Sequence, residues 1–363
     1  MLGIHVDKKT IYGPCDEARA IRRAVDIMRG IEVPLPILFG RRCLGLAVGE
    51  RDSDRVLISR RGMTPAEVAG FPTLLSIQQA AVANRLWDSV FSKTMSPQSQ
   101  QWWDSWPAAG SPVAGTYTGA AFTSRQFDDT TVGALYHGGN VTPYGKFILT
   151  MQANITGTAS AYSIIYDRVL SYEACTFNAS VLQNFTNSLA AQRWVSAGQP
   201  GLQVTMTATT TSATGSTASN LTQLAYTNQA GTAGQAAPCS TPALAIAASA
   251  NIAGVNGSQV LCPNNNAAAI NGPFLPLAVQ DSGVRLLSSF TTSAANTGTM
   301  AFVLNRPLGL LMMQANGIEF ETDFVFQRLS LGQVYDGACL AFLFCPSTST
   351  VSNFEGRLRS IWN

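Results

Sequence analysis

Short β-like segments recur through the chain after about residue 110, and this pattern restricts the fold more than any other feature. The segments are rich in Thr, Val, Ile, Tyr and Phe, and Gly, Asn, Pro and Ser separate them. No helical stretch long enough for a βαβ crossover lies between them, which argues against a parallel α/β fold. The sequence therefore predicts a mainly β protein with an antiparallel β-sandwich or jelly-roll body. The predicted strands are Gly145–Ile155, Tyr162–Tyr172, Leu202–Thr210, Leu221–Thr227, Val284–Thr292, Gly298–Asn305 and Gly337–Cys345.

The composition divides the chain into five regions. Residues 1–62 form a basic N-terminal arm or a small mixed module, residues 63–107 a short helical segment, and residues 108–228 a first β-sandwich region. Residues 229–271 are rich in Ala, Ser and Asn, and they form either a linker or an insertion packed on a neighbouring molecule. Residues 272–363 form a second β region, which can belong to the same sandwich.

Three helices are predicted before the β region. The first covers Asp16–Arg29, which has acidic residues in its first turn and a glycine directly after it. The second follows a capping box at Thr64-Pro65-Ala66-Glu67, and apolar residues recur near helical spacing across Pro72–Met95. Ser96-Pro97 then begins a third, short helix that carries Trp102, Trp103 and Trp106.

Trp102, Trp103 and Trp106 are candidates for an assembly interface. Closely spaced tryptophans can anchor a protein interface or form a platform for sugar rings. They can equally plug the base of the sheet that follows, because tryptophan is usually well buried. The sequence leaves these alternatives open.

Charged residues are scarce and unevenly distributed. They make up only 12% of the chain, about half of the roughly 25% that is usual in globular proteins. Positions 176–280 contain Arg193 and no other Lys, Arg, Asp or Glu. Since free monomers keep their solubility largely through charge, this stretch is either packed against partners or presents a neutral Ser/Thr/Asn surface. Neither alternative indicates nucleic-acid binding, which requires clustered Lys and Arg.

Basic residues are concentrated at the start of the chain. Residues 1–62 hold 12 Lys or Arg and 8 Asp or Glu, which leaves 11 basic and 13 acidic residues for the remainder. An extended arm of this kind either lies on another subunit or forms a solvated loop region. The arginines that are assembly-interface candidates are Arg41, Arg42, Arg60 and Arg61. The first residues lack an apolar signal core, and no run of about 18 apolar residues occurs, so we expect a chain made in a cytoplasm without membrane partners.

The sequence contains few residues suited to catalysis or metal binding. Only two histidines occur, His5 and His137, and no nucleotide-binding, zinc-protease or serine-hydrolase motif accompanies them. Seven cysteines without a CxxC pair predict free buried thiols. No pair of carboxylates is singled out, and Asp167-Arg168 and Asp336-Gly337 are predicted to be turn and pairing residues. We therefore predict a protein without enzymatic activity, cofactor or metal.

Several phrases together resemble a recurrent class of structural proteins in tailed bacteriophages. The phrases extend over about residues 70–350, and the Arg-rich first 62 residues lie outside them. They are Trp103-Asp104-Ser105-Trp106 with Gly110-Ser111-Pro112, Tyr166-Asp167-Arg168-Val169-Leu170, the run 226–234, the run 276–285, and Asp336-Gly337-Ala338-Cys339-Leu340.

The resemblance implies a virion component that is present in many copies and assembles in the host cytoplasm. We expect a head-decoration or auxiliary capsid protein that contacts itself, with a trimer as one option, and contacts other virion proteins such as the major capsid protein. The HK97-type shell protein is disfavoured because its fold has a long spine helix. The alternative is a neck, tail or fibre adsorption protein that binds or cleaves host glycans.

Overall fold

The computed structural model describes most of the chain from residue 71 onward. Side chains and backbone are described for residues 71, 74–95, 97, 99–176, 181–196, 199, 201–209, 221–237, 259–260, 272–292, 299–325, 332–348 and 352–363. Only the backbone is described for residues 44–48, 56–60, 219–220 and 245–246. The predicted helix at Asp16–Arg29 and the capping box at Thr64–Glu67 lie outside these residues.

The described residues form one helix and nineteen strands. The helix is α1 (Leu74–Val82). The strands are β1 (Leu44–Val48), β2 (Val56–Arg60), β3 (Leu86–Met95), β4 (Trp103–Asp104), β5 (Ala109–Ser111), β6 (Ser124–Gln126), β7 (Lys146–Thr156), β8 (Ala161–Thr176), β9 (Gln183–Asn184), β10 (Gln203–Ala208), β11 (Ser219–Asn228), β12 (Gln235–Ala236), β13 (Ala245–Ile246), β14 (Val284–Thr292), β15 (Thr299–Met313), β16 (Phe320–Asp323), β17 (Gly332–Val334), β18 (Leu340–Pro346) and β19 (Ser352–Trp362).

Three sheets make up the body of the protein. The central sheet has the order β10-β15-β8-β18-β4, and β6 also pairs with β8. The first flanking sheet has the order β12-β11-β14-β9, and the second has the order β16-β7-β19-β3-β5. The ladders β8–β15, β8–β18, β10–β15 and β11–β14 are all antiparallel. The predicted mainly β, antiparallel fold is confirmed, while jelly-roll connectivity stays a prediction.

The described residues fall into two compact units. The larger unit consists of Trp87–Asn140 and Ile148–Ser360 and contains the cores and ion pairs described below. The smaller unit includes α1 and a hairpin in which β1 pairs with β2.

Each flanking sheet shares a buried hydrophobic core with the central sheet. The first core joins residues such as Tyr172 and Phe302 of the central sheet to Phe290 of the first flanking sheet. The second core joins Phe342 of the central sheet to Phe354 of the second flanking sheet. Burial of facing apolar side chains between two sheets is the arrangement of a β-sandwich.

Strand β3 corrects the predicted helix over Pro72–Met95. The helix ends at Val82, and Asn84 follows with a φ of 56°. The amide of Arg85 donates to Ala80 O (2.9 Å) and that of Asn84 to Ala81 O (3.0 Å), which is the pattern of a Schellman cap. Leu86–Met95 then alternates between exposed and buried residues, as a strand does.

The short helix predicted after Ser96-Pro97 is also wrong in the part that the structure describes. Trp103 and Asp104 form β4, which pairs with Phe344 and Leu343 of β18. This pairing brings the tryptophans against the central sheet. Hydrogen bonding of β4 to the edge of that sheet therefore overrides the local preference for a helix.

The seven strands predicted after residue 110 are all present, although some boundaries differ. The prediction Gly298–Asn305 covers only the first half of β15, and the prediction starting at Gly337 begins before β18. The strands β11 and β14 pair directly, so the regions 108–228 and 272–363 share one sheet.

The described part of residues 229–271 packs on its own chain. Strands β12 and β13 both pair with β11. Gln259 bridges to Trp103, and Val260 bridges to Thr207. These described residues thus pair within the protein, while the choice between a linker and an insertion packed on a neighbouring molecule stays a prediction for the stretch 229–271.

Candidate functional site

Strand β8 carries three buried ionic residues, Asp167, Arg168 and Glu173. Asp167 and Arg168 were predicted to be turn and pairing residues, but they lie well inside a strand of 16 residues. Asp167 is paired on one side with Leu340 and on the other with Arg306. The turn prediction was therefore wrong, while the pairing prediction is confirmed by an ion pair at each of the two residues.

The first ion pair joins Arg168 to Asp104. The Arg168 Nη1 donates to Asp104 Oδ2 at 2.7 Å, and the Tyr166 hydroxyl donates to Asp104 Oδ1 at 2.6 Å. The Trp106 backbone amide donates to the same Oδ1 at 3.0 Å. Burial raises the pKa of Tyr166, and the neighbouring Asp104 carboxylate raises it further, so the hydroxyl stays protonated.

Aromatic rings enclose the Arg168 guanidinium. Its Cζ lies 4.2 Å from the centroid of Trp106 and 4.7 Å from that of Phe127. Such contacts stabilise a cation that is removed from water. The guanidinium therefore ties the 102–127 segment to β8 through both charge and ring contacts.

The second ion pair joins Asp167 to Arg193. Arg193 Nε and Nη2 donate to the two carboxylate oxygens at 2.9 and 2.8 Å, and Trp194 Nε1 donates to Oδ2 at 2.9 Å. The Cys339 amide adds a fourth donor at 3.0 Å. Burial by itself would lower the pKa of Arg193, but the Asp167 carboxylate outweighs it and raises that pKa.

The third ion pair joins Glu173 to Arg125, with 3.2 Å between Oε1 and Nη1. The Ser171 hydroxyl donates to Glu173 Oε1 at 2.7 Å, and the Gly119 amide donates to Oε2 at 2.6 Å. A Cβ at Gly119 would lie 2.9 Å from that oxygen, so a larger residue would disturb the contact. The three pairs together fasten the 102–127 segment and the segment around Arg193 to one strand.

The buried carboxylates are already occupied by hydrogen bonds and positive charges. Glycoside hydrolysis requires two carboxyl groups that reach the substrate, one of them able to give up and take back a proton. Asp104, Asp167 and Glu173 are each buried and paired with an arginine. In this arrangement their oxygens accept hydrogen bonds from groups of the protein and hold chain segments together.

The described residues contain no group of three or more His, Cys, Asp or Glu that could hold a metal ion. The three cysteines in the described part of the chain, Cys175, Cys339 and Cys345, are buried thiols. This confirms the prediction of buried thiols for those three residues.

The tryptophan candidates lie inside the protein. Trp102 is 5% exposed, and Trp103 and Trp106 are 0% exposed. A Cβ at Gly115 would come within 2.1 Å of the Trp106 ring, which shows how closely the ring is packed. We therefore correct the expectation that these residues form an exposed interface or sugar platform, because their rings have almost no accessible surface. Their burial agrees with the alternative in which they plug the sheet.

The arginine candidates for assembly lie at the margin of what the structure describes. Arg41, Arg42 and Arg61 are outside the described residues. Arg60 is the last residue of β2 and is paired with Leu44 of β1, and only its backbone is described. Their role in assembly stays a prediction.

The described surface of residues 176–280 carries no formal charge. Arg193, the one ionic residue in this stretch, has a side chain that is only 11% exposed and is neutralised by Asp167. Apolar side chains nevertheless reach the surface there, with Val279 92% exposed and Val181 60% exposed. Other exposed residues of this stretch are Leu182, Asn184, Leu189, Thr222 and Gln223.

The second flanking sheet has a contrasting, charged outer face. Arg359 and Asp88 form an ion pair between β19 and β3, with 2.8 Å between Nε and Oδ1. Gln152 of β7 accepts from Arg357 Nε at 3.1 Å, and it donates to Glu321 Oε2 at 2.9 Å. Charged side chains thus line the outer face of this sheet, whereas the described residues of 176–280 contribute only Arg193, which is paired with Asp167.

Sequence reasoning missed Asp104, Arg125 and Arg193 as ion-pair partners. Two signals were available. Arg193 stands alone in a long uncharged stretch, and an isolated charge of this kind is a candidate for an internal partner. Asp104 lies between two tryptophans that the structure buries, so it also needed a buried partner.

Comparisons with known proteins identified no relative of this chain. A scan of protein-family models, a search of curated proteins and a search of solved structures each returned no match to the chain. In the part of the chain that the structure describes, no helix has the length and apolar character needed to cross a membrane.

Proposed function

We propose that this chain is a structural component of a bacteriophage virion, a head-decoration or auxiliary capsid protein that acts through contacts between subunits. The protein acts through its shape and through the surface that it covers. The protein holds its sheets in a fixed arrangement and covers surface on copies of itself and on other virion proteins, including the major capsid protein.

The observation that carries the proposal is the uncharged surface of residues 176–280. A surface that faces water usually carries charged groups of both signs. Here the charge of Arg193, the one ionic residue of the stretch, is neutralised by Asp167. The side chains of Val181, Leu182 and Val279 remain exposed. A protein neighbour would remove these apolar side chains from water, and the described residues of 176–280 would add no unpaired ion to the desolvation cost.

The ion pairs of β8 support the same function in a second way. Buried and hydrogen-bonded charge pairs fix the segments that they join, because breaking one pair leaves a charge without compensation. The 102–127 segment and the segment around Arg193 are both fastened to β8 by such pairs. A rigid subunit loses little conformational freedom when it joins a lattice.

A charge placed on the uncharged surface tests the proposal. Thr222 is exposed on β11 and donates to Thr291 O at 3.1 Å, whereas Thr94 is exposed on β3 and donates to Asn353 Oδ1 at 3.0 Å. We expect Thr222→Lys to reduce the assembled fraction in sedimentation velocity and to weaken binding to phage procapsids. The matched control Thr94→Lys, on the charged sheet, should leave both unchanged.

A wild-type protein that stays monomeric at high concentration and does not bind procapsids would overturn the proposal. Equal behaviour of the two lysine variants would overturn the role of the uncharged surface. A glycan array with the wild-type protein tests the alternative of a neck, tail or fibre adsorption protein, and strong binding of one glycan class would favour that alternative.

A further inference from the structure

Arg306 is a half-buried arginine for which the described residues provide no counter-ion. It lies on β15, opposite Asp167 in the strand register, but no described carboxylate approaches it within 4.0 Å. Its one hydrogen bond to a described residue runs from Nη1 to Gly201 O and is long, at 3.4 Å. Its Nε is buried and has no acceptor.

This situation differs from that of the three arginines in the ion pairs that involve β8. Arg125, Arg168 and Arg193 all have a carboxylate partner. At Arg306 burial lowers the pKa, and no nearby negative charge opposes that effect. A guanidinium in a partly dry environment is costly unless an anion or several acceptors complete it.

The surroundings of Arg306 are fixed by contacts that do not depend on it. Its Cζ lies 5.5 Å from the ring centroid of Trp194, and that ring is held by the bond from Nε1 to Asp167 and by an edge contact with Tyr335 at 4.5 Å. Gly201 has a φ of 74°, and a Cβ there would lie 2.7 Å from the Cα of Gly283. The wall formed by Trp194 and Gly201 is therefore already in place before any anion arrives.

We propose that Arg306 anchors a binding site for one oxyanion, a carboxylate or phosphate group. A guanidinium presents a planar set of donors that matches such a group, and the adjacent indole ring increases the strength of charge-assisted hydrogen bonds by excluding water. The buried Nε of Arg306 has no acceptor among the described residues, so the donors of this guanidinium are incompletely satisfied within the described part of the chain. The group can come from free phosphate or from a carboxylate of a neighbouring subunit, and the second source rests on the proposed function.

Thermal unfolding with phosphate as the probe tests the site itself. Sodium phosphate is compared with sodium chloride at equal ionic strength for wild type, Arg306→Gln, Arg306→Lys and the control Arg357→Gln. We expect phosphate at ten times its Kd to increase the folded-to-unfolded ratio of wild type and Arg357→Gln about elevenfold. Arg306→Gln should show no increase, and Arg306→Lys should show a smaller one because it keeps the charge without the planar donors.

Sedimentation then separates the two sources of the anion. If the neighbouring subunit supplies a carboxylate, Arg306→Gln should lower the assembled fraction in chloride, and phosphate should compete with assembly of the wild type. If free phosphate is the ligand, assembly should not change while the thermal effect persists. No difference between phosphate and chloride, together with normal assembly of Arg306→Gln, would overturn the proposal. Absence of any assembly would count against the proposed function alone, since the phosphate measurement does not depend on it.

Discussion

Lys93 should make the protein more stable as the pH rises from 7 to 9. This residue lies on β3, is 2% exposed, and its Nζ donates to Ala108 O at 3.1 Å and to Pro112 O at 2.6 Å. Burial lowers the pKa of Lys93 from 10.5 to about 8, and the charge of Asp104 opposes only part of that effect. The ammonium is therefore a destabilising charge at neutral pH.

The sign and size of the effect follow from proton linkage. Between about pH 8 and 10.5 the unfolded chain binds the proton of Lys93 and the folded chain releases it, so the free energy of unfolding rises with pH. Below pH 8 both states are protonated, and above 10.5 both are neutral, so no further change occurs. The gain between pH 7 and pH 9 amounts to about 1.3 kcal/mol, because one pKa unit corresponds to about 1.4 kcal/mol.

Urea unfolding of wild type and Lys93→Gln at pH 7 and pH 9 measures this gain. Glutamine keeps an amide NH2 that can donate to the carbonyls but does not titrate, and all other ionisable groups are common to both proteins. The wild-type stability minus the variant stability should increase by about 1.3 kcal/mol between the two pH values. A constant or decreasing difference would refute the reasoning, because it would mean that the Lys93 ammonium is well solvated in the folded protein.

Three further predictions concern groups with contrasting burial. Asp104→Asn leaves the Arg168 guanidinium buried without a counter-charge, and we expect a loss of about 3–5 kcal/mol in urea unfolding; a loss below 1 kcal/mol would contradict the anchoring role. Asp88→Asn breaks the pair with Arg359, whose side chains are 35% and 40% exposed, and it should change stability by less than about 1 kcal/mol in the same assay. Burial raises the pKa of the Cys175 thiol, so peptide mass spectrometry after iodoacetamide treatment at pH 8 should find Cys175 modified only in unfolded protein, and rapid native labelling would disagree with its burial.

The strands after residue 110 could be predicted because their local signals agree with their final environment. These segments are rich in Thr, Val, Ile, Tyr and Phe, and turn residues separate them. Strand β3 failed because Leu86, Val90 and Phe91 recur near helical spacing, although pairing within the sheet decides the outcome. The αL residue Asn84 was the available signal for the end of the helix.

Strand β19 was not predicted, although its sequence holds a usable signal. Phe354, Leu358 and Ser360 are buried at even spacing, and the residues between them, such as Glu355 and Arg359, are charged. The ion pairs could not be predicted in the same way, because Asp104 and Arg168 lie far apart in the chain. Only the tertiary fold brings Arg168 Nη1 and Asp104 Oδ2 to a distance of 2.7 Å from each other.

Two long strands belong to both sandwich cores at once. Strand β8 has 16 residues, a length of about 50 Å at the usual rise per residue. Its first part, including Ile165, packs in the second core, whereas Tyr172 near its end packs in the first. Strand β15 does the same in the opposite direction through Phe302 and Leu311. A mechanical load applied to either sandwich is therefore transmitted along continuous backbone into the other.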